Sequence, residues 1–361
     1  MKKANYYVNI IYMEQNYFSE RNLKNLEQLK KIKMELPYFC NEFFTGYAEV
    51  LTPLTRLGYA QDFKCFFNFL VNETAEFSGI KVKDLTINHL NMINQTHIEE
   101  FLVYLSSYKK EDGKTLSNQT KTKARKFASI RTLLKYFFRK DKIDSNVADK
   151  VNSPKLREKE IIRLEVDEVT NLLNEAEFGN NLSKHQRAFH KFTEKRDIAI
   201  LTLFLGTGIR ISELVGLDIR DIDFNQNAFT VTRKGGNRVI LYFTDEVANA
   251  LKDYLEIRLD NNKVNENEQA LFLSLHNKRI CVRQVEKLVK KYSEIVTPLK
   301  KITPHKLRST FGTNLYKETG DIYVVADVLG HKDVNTTKKY YAAITDDIRR
   351  NASMKIKLRK E

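Results

Sequence analysis

Residues 303–308 read Thr303-Pro304-His305-Lys306-Leu307-Arg308. Thr303 is a favourable residue ahead of a helix, and Pro304 is favoured in the first turn, so this stretch predicts a helix start. The spacing of three between His305 and Arg308 then places an imidazole and a guanidinium on one face of that helix. One helix of the C-terminal half is therefore predicted to present two polar groups side by side.

Two segments before this stretch also place cations at turns. Arg210 follows the turn Gly206-Thr207-Gly208 at a predicted helix start, where helix amides and the guanidinium can converge on one anion. Lys234 begins the turn between two β-branched and aromatic runs, residues 229–233 and 238–244, which together predict a hairpin. Taken singly, each cation is better explained as an exposed surface residue.

A third segment follows the stretch. Residues 321–329 are predicted to form a helix that Gly330 ends, and His331 comes directly after it. A histidine in that place is by itself often a capping group. Tyr340 and Tyr341 follow nine and ten positions later.

In this order and at this spacing, the segments resemble the tyrosine recombinase (integrase) family, and its Xer-like members in particular. The pattern is Arg, Lys, His-x-x-Arg, Gly-His and Tyr, and it extends over the C-terminal half of the chain. The basic helical region before it resembles the family's core-binding domain. Because several separate segments must agree, the pattern is specific.

The resemblance implies a phosphate site built from arginines. Arg210 and Arg308 would bind the non-bridging oxygens of a scissile phosphate, whose negative charge increases in the transition state. Glu213, three residues after Arg210, matches an acidic position of the family and would support the active-site groups. An ordinary acidic residue on a helix surface is the alternative reading of Glu213.

The resemblance also implies the proton chemistry. His305 and His331 would add hydrogen-bond donors and adjust proton positions at the phosphate, and Lys234 would protonate the leaving 5′ oxygen. A tyrosine would attack the phosphorus and form a 3′-phosphotyrosyl link, which conserves the bond energy without ATP. No metal and no cofactor are expected.

Two tyrosines are candidates for the nucleophile. Family members usually have a β-branched apolar residue three places after it, and Ile344 stands in that relation to Tyr341. For Tyr340 the same place is taken by Ala343. Tyr341 is therefore favoured, and Tyr340 stays open as the alternative.

The composition points to a folded protein with an acidic partner. The chain has 361 residues, with 61 Lys and Arg against 46 Asp and Glu, a formal net charge of +15. At 42% hydrophobic and 30% charged residues, it is neither a disordered nor a membrane-embedded chain. Three cysteines without a CxxC pair argue against a disulfide framework or a zinc site.

The excess of positive charge is local. Residues 101–150 carry 13 basic against 5 acidic groups, whereas residues 1–100 carry 11 against 12. In residues 119–140, apolar residues recur every three or four positions, so the cations lie on the outer face of an amphipathic helix. A basic face attracts phosphate backbones, although a merely solvated face is the alternative. The candidate DNA contacts are Lys121, Lys123, Arg125, Lys126, Arg131 and Lys135.

The expected fold is mainly α with a small antiparallel β-sheet, in the two-domain clamp of the tyrosine recombinases. We expect an N-terminal extension at 1–36, with Met1 or Met13 as the start, and a helical core-binding (DNA-binding) domain at 37–150. A linker at 151–162 contains Pro154 and precedes a mixed α/β catalytic domain at 163–361. Short helices are expected around 23–32 and at 335–344.

The family implies a site-specific recombinase as the function. The expected partners are double-stranded DNA with a specific recombination site and further copies of the chain, in a tetrameric synapse with exchange of the basic tail 346–361. A DNA translocase or directionality factor is a further candidate partner, and no membrane is expected. Chromosome dimer resolution and mobile-element integration or excision both remain open, in a cytoplasmic, nucleoid-associated setting. The alternatives are a non-catalytic DNA-binding protein of the same fold and a type IB topoisomerase.

Overall fold

The computed structural model describes residues 17–109, 113, 115–156, 162–233, 236–331, 333 and 334. Contacts divide the chain into two compact units, residues 1–159 and 160–361, called here the first and second units. In the described ranges, no helix has both the length and the apolar composition needed to cross a bilayer.

The first unit is mainly helical. Its helices are α1 (Tyr17–Lys33), α2 (Cys40–Gly46), α3 (Pro53–Glu73), α4 (Ile87–Asn91), α5 (Gln95–Tyr104) and α6 (Thr120–Phe138). Short 3₁₀ turns lie at Ala75–Phe77, Val82–Asp84 and Val147–Lys150. Between α5 and α6, the strands β1 (Tyr108–Lys109) and β2 (Thr115–Leu116) form a two-stranded antiparallel ribbon that the sequence did not predict.

The core of the first unit is rich in phenylalanine. Phe43, Phe63, Phe66 and Phe101 are fully buried and pack edge-to-face or tilted against aromatic neighbours. Leu29 of α1 and the following Leu36 are buried in the same core. Residues 17–36 therefore pack as part of the first unit, and α1 begins before the short helix expected around 23–32.

The second unit combines helices with one small sheet. Its helices are α7 (Val166–Phe178), α8 (Lys184–Thr207), α9 (Ile211–Leu214), α10 (Asp245–Leu259), α11 (Val282–Val296), α12 (Pro304–Thr319) and α13 (Ile322–Leu329). Its strands are β3 (Ile222–Asp223), β4 (Ala228–Thr232) and β5 (Arg238–Tyr242), in the order β3-β4-β5. Both strand pairs are antiparallel, with Val231 opposite Val239. The prediction of a mainly α fold with a small antiparallel sheet is confirmed.

Helix ends position the polar segments of the second unit. Gly208 ends α8 in the left-handed region at φ +61°, so the chain turns immediately before Arg210. A β-carbon at Gly208 would collide with the Phe311 ring of α12, which means that only glycine permits this close approach. Gly330 ends α13 in the same way, at φ +62°. The two glycines bring the end of α8, α12 and the end of α13 together.

Candidate active site

Arg210 is held by a buried carboxylate. It stands at the N-cap of α9, and its backbone N–H donates to Glu213 Oε2 at 3.0 Å, while its Nη1 donates to Glu213 Oε1 at 2.7 Å. The Glu213 residue is 4% exposed, whereas about a third of the Arg210 side chain is exposed. A surface acid would be solvated, so the environment of Glu213 is that of an internal partner to Arg210.

Arg308 projects from α12 into the same region. It is 5% exposed, and its guanidinium donates to the carbonyl oxygens of Gly208 through Nη1 and of Leu329 through Nη2. The Leu329 carbonyl also accepts a hydrogen bond from Arg210 Nη2 at 3.0 Å. Two guanidinium groups that share one acceptor atom are close enough to bind a single phosphate.

The last turn of α13 is the meeting point of these side chains. We call the carbonyl groups of residues 327–330 the α13 terminus. Arg210 Nη2 contacts the Gly330 carbonyl at 2.9 Å as well as that of Leu329. Carbonyls at a helix C-terminus carry partial negative charge and lack helical partners, which explains why cations collect there.

A third arginine, Arg233, reaches the α13 terminus from the hairpin. Its Nη2 donates to the Val328 carbonyl at 2.8 Å, and its Nη1 lies 3.5 Å from the Asp327 carbonyl. Burial lowers the pKa of Arg233 and the charge of Arg210 lowers it further, whereas Glu213 opposes the change. Arg233 was not predicted from the sequence, although a second cation beside Lys234 at the hairpin turn was an available signal.

His331 and His305 adjoin this group of arginines. The backbone N–H of His331 donates to the Ala326 carbonyl at 2.8 Å, which fixes the residue just beyond the α13 terminus. Partial burial lowers the pKa of His331 to about 4, and the charges of Arg308, Arg210, His305 and Arg233 act in the same direction. His331 is therefore a neutral imidazole at pH 7. His305 is exposed on the first turn of α12.

The resulting site is electropositive. Three guanidinium groups converge on the α13 terminus, and one buried carboxylate, that of Glu213, lies among them. An excess of partly buried cations favours an anion. No group of three or more His, Cys, Asp or Glu side chains within the described ranges has the arrangement of a metal site.

The six candidate DNA contacts on α6 differ in environment. Lys126 is 9% exposed and its Nζ lies 3.4 Å from Asp62 Oδ1, so this cation is internal. Arg131 donates to the main-chain carbonyls of Ala148 and Val151 and lies over the Phe127 ring at 4.5 Å.

The remaining four cations have more access to solvent. Lys121, Arg125 and Lys135 are exposed, while Lys123 is half-buried and donates to Ser106 Oγ at 2.5 Å. Arg125 also forms a bidentate pair with Asp62.

Comparison with known proteins decides the family. Residues 162–347 match the model of the phage integrase family. The chain belongs to the phage integrase family. It is a tyrosine-type site-specific recombinase, so the prediction of a Xer-like member of this class is confirmed.

The sequence similarity of this recombinase to known relatives extends over both units. The recombinase is 30% identical to tyrosine recombinase XerS of Streptococcus uberis, over 92% of this chain and 98% of the relative. It is 34% identical to tyrosine recombinase XerC of Caldanaerobacter subterraneus subsp. tengcongensis, over 89% and 86%.

Solved structures share the fold of the recombinase. A XerH site-specific recombinase bound to a palindromic difH substrate, in a post-cleavage complex, aligns with a TM-score of 0.63 at 18% identity, over 84% of this chain and 80% of that one. The Tn1549 transposon integrase in complex with circular intermediate DNA aligns at 0.60 and 19%, over 89% of this chain and 100% of that one. The expected recombinase fold is therefore confirmed.

Some predicted site residues of the recombinase lie outside the described residues. These are Lys234, both candidate nucleophiles, Tyr340 and Tyr341, and the tail at 346–361. The expected helix at 335–344 lies outside them as well, as does the choice between Met1 and Met13. Of the predicted catalytic set, the structure thus brings together Arg210, Arg308 and His331, with Glu213 in support and His305 nearby.

Proposed function

We propose that the recombinase cleaves and rejoins the strands of double-stranded DNA at a specific site, through a 3′-phosphotyrosyl intermediate and without metal or ATP. The observation that carries this proposal is the shared acceptor of Arg210 and Arg308, because both guanidiniums donate to the Leu329 carbonyl. A guanidinium has N–H groups on more than one edge, so it can bind a carbonyl and a phosphate oxygen together.

The arginines stabilise the transition state. Charge on the non-bridging oxygens increases as the phosphorus becomes five-coordinate, so fixed cations bind this state more strongly than the ground state. Glu213 keeps Arg210 in place through two hydrogen bonds and therefore reduces the reorganisation needed during the reaction. His331, neutral at pH 7, can donate or accept a proton at the phosphate.

The covalent step exchanges one phosphorus–oxygen bond for another, with one proton released and one taken up. The Tyr341 hydroxyl oxygen forms a bond to phosphorus and releases its proton to a neutral imidazole or to solvent. The bond from phosphorus to the 5′ oxygen breaks, and that oxygen takes a proton from the Lys234 ammonium. The reverse steps, with the 5′ hydroxyl of another strand, rejoin the DNA.

The first unit supplies contacts to the DNA backbone. We assign residues 37–150 to core binding and residues 163–361 to catalysis, with 151–162 as the linker. Lys121, Lys123, Arg125 and Lys135 would meet phosphates, which position the protein without specifying sequence. Lys126 and Arg131 would instead support α6 from within, because their side chains are less exposed than that of Arg125 and their cationic groups contact Asp62 and two main-chain carbonyls.

Assembly and biological role follow the same family reasoning. The reaction joins two duplexes, so we propose a tetrameric synapse in which the tail 346–361 docks on a neighbouring copy. The XerS and XerC relatives favour a chromosomal role for a nucleoid-associated cytoplasmic protein, with a DNA translocase as a candidate partner. A recovered site at the ends of a mobile element would instead indicate integration and excision, with a directionality factor as the candidate partner.

Covalent capture tests the chemistry and finds the site. Cells that express the wild-type chain are lysed under denaturing conditions, and the protein is purified with its covalently attached DNA. This DNA should contain one enriched sequence with a defined cleavage position. A nicked duplex of that sequence should then trap the 3′ adduct in solution. Adduct formation without recombinant product would indicate strand relaxation, and the absence of any adduct would contradict the proposal.

The same duplex identifies the nucleophile. We expect Tyr341→Phe to abolish the adduct, because the attacking oxygen is removed, while Tyr340→Phe retains it. Denaturing gel electrophoresis of the trapped complex measures both variants, each of which is the matched control of the other. Loss of the adduct only in Tyr340→Phe would reverse the assignment.

A further inference from the structure

Arg233 stands at the base of the turn that carries Lys234. Its backbone N–H donates to the Asn237 carbonyl at 2.8 Å, and its own carbonyl accepts from the Gly236 N–H at 3.0 Å. Both main-chain groups of Arg233 are thus fixed by the hairpin. The residue directly before Lys234 in the sequence is therefore a fixed point of the backbone.

The side chain of Arg233 joins this point to α13. Its Nη2 donates to the Val328 carbonyl at 2.8 Å, and its guanidinium lies against the main chain at Gly330, where a β-carbon would collide with Nη1. Glycine at position 330 leaves the room for this contact. The hairpin and the α13 terminus are therefore in direct contact through one side chain.

The other two guanidiniums on the α13 terminus belong to the proposed phosphate site. Arg210 contacts the carbonyls of Leu329 and Gly330, and Arg308 contacts that of Leu329. Arg233 uses the carbonyl immediately before these, that of Val328. One short segment of backbone therefore sets the relative positions of the phosphate-binding arginines and of the hairpin base.

We propose that Arg233 is a positioning residue, which holds the hairpin base on the α13 terminus and so sets the place of Lys234 relative to the phosphate. This proposal rests on the proposed function, in which Lys234 protonates the leaving oxygen. Without Arg233, the phosphate site keeps its arginines, but the proton donor is no longer fixed with respect to them. The defect should then be confined to protonation of the leaving group.

A change of leaving atom tests this. Single-turnover cleavage is measured on nicked duplexes of the captured site, one with the normal 5′ oxygen at the scissile phosphate and one with sulfur in its place. A thiolate leaves without being protonated, because the pKa of a thiol is far below that of an alcohol. The sulfur substrate therefore makes a proton donor unnecessary.

We expect Arg233→Ala to slow cleavage of the oxygen substrate by about 100-fold, the lower end of what a general acid contributes, and of the sulfur substrate by less than about threefold. Lys234→Ala should show the same pattern. Arg238→Ala is the matched control, because Arg238 lies on the same hairpin with 71% of its side chain exposed. It should cleave both substrates at the wild-type rate.

Other outcomes overturn the proposal. Equal slowing on both substrates would place Arg233 at the phosphate or in folding, and no slowing would remove any role. If Arg233→Ala does not fold, Arg233→Lys carries the same comparison, with slower cleavage expected only for oxygen. Absence of sulfur rescue in Lys234→Ala would overturn both this proposal and the role of Lys234, whereas absence of a wild-type adduct would overturn the proposed function itself.

Discussion

His331 is a residue whose protonation is set by its surroundings. Partial burial and the charges of Arg308, Arg210 and His305 lower its pKa to about 4, against an ordinary value near 6.5. A neutral imidazole can both donate and accept a hydrogen bond. A bound phosphate adds negative charge beside the ring, so DNA should raise the pKa of His331 again.

The lowered pKa predicts a pH dependence of stability. Because the folded state disfavours the charged ring, the unfolded chain binds more protons between pH 6.5 and 4. The contribution of neutral His331 to the free energy of unfolding is complete above pH 6.5 and is lost as the pH falls towards 4. Since the ring is partly solvated, we expect about 1 kcal/mol over this range.

Urea unfolding of DNA-free protein at pH 7, 6 and 5 measures this effect. Wild type should lose more free energy of unfolding over the series than His331→Gln, which cannot titrate at this position. The difference between the two proteins removes the contribution of the carboxyl groups. Parallel curves for both would contradict the lowered pKa.

Sequence patterns could predict some of these residues and not others. The resemblance to the tyrosine recombinase family grouped Arg210, Arg308 and His331, each of which lies near a helix start or end that the sequence predicts. Arg233 could be noticed only as a second cation beside Lys234, since its partners, the Val328 carbonyl and Gly330, become neighbours only through packing of the hairpin on α13. The internal position of Lys126 could not be predicted either, because the sequence of a basic helix does not indicate which of its cations faces a buried acid.

At the scale of elements, a buried carboxylate joins α3 to α6. Asp62 of α3 is 1% exposed and accepts from Arg125 Nη1 at 2.6 Å and Nη2 at 2.7 Å, and from Ser129 Oγ at 3.0 Å. Lys126 Nζ lies 3.4 Å away. The carboxylate of Asp62 therefore fixes the inner face of α6, the helix that is predicted to contact DNA.

Removing this acid should loosen α6. We expect Asp62→Asn to lower the free energy of unfolding by about 3 kcal/mol, because Lys126 is left buried without its counter-charge. The matched control is Glu42→Gln, which breaks an ion pair to Lys142 of the same 2.6 Å length but on the exposed surface. That variant should lose about 0.5 kcal/mol or less. Chemical denaturation measures both, and equal losses would contradict the internal role of Asp62.

Element bounds were predictable where caps and turns were written in the sequence. The helix expected at 321–329 agrees with α13 to within one residue, and the hairpin strands agree to within two residues. α8 begins at Lys184, where Ser183 and Gln186 form a reciprocal capping box ahead of the apolar stretch. The two-residue strands β1, β2 and β3 are too short to show alternation.

For the whole molecule, the net charge of +15 contains cations of different kinds. Lys121 and Lys135 are exposed on α6, while Arg308 is buried and Arg210 is paired with Glu213. Exposed cations can act on any phosphate backbone through counterion release, whereas in the proposed function Arg210 and Arg308 act on one phosphate. Binding and cleavage should therefore respond to different substitutions.

The salt dependence of DNA binding separates these kinds. We expect the double variant Lys121→Gln and Lys135→Gln to reduce the slope of log K against log salt by about 2, since each phosphate that is no longer neutralised lowers it by about 0.9. Arg210→Lys should keep the wild-type slope, yet slow cleavage by about 100-fold or more, because the bidentate fork is removed. Fluorescence anisotropy on duplex DNA gives the slope. An unchanged slope in the double variant of Lys121 and Lys135 would place the contacts to the DNA backbone away from α6.

The close approach of Arg233 to Gly330 also constrains how the gene can change. Alanine at position 330 would need the space of the Arg233 guanidinium, and it would have to adopt a φ of +62° that side chains disfavour. Replacement of the arginine by a smaller residue would remove only the contact, because the left-handed backbone at position 330 still disfavours a side chain. The glycine codon is therefore expected to tolerate fewer substitutions than the arginine codon.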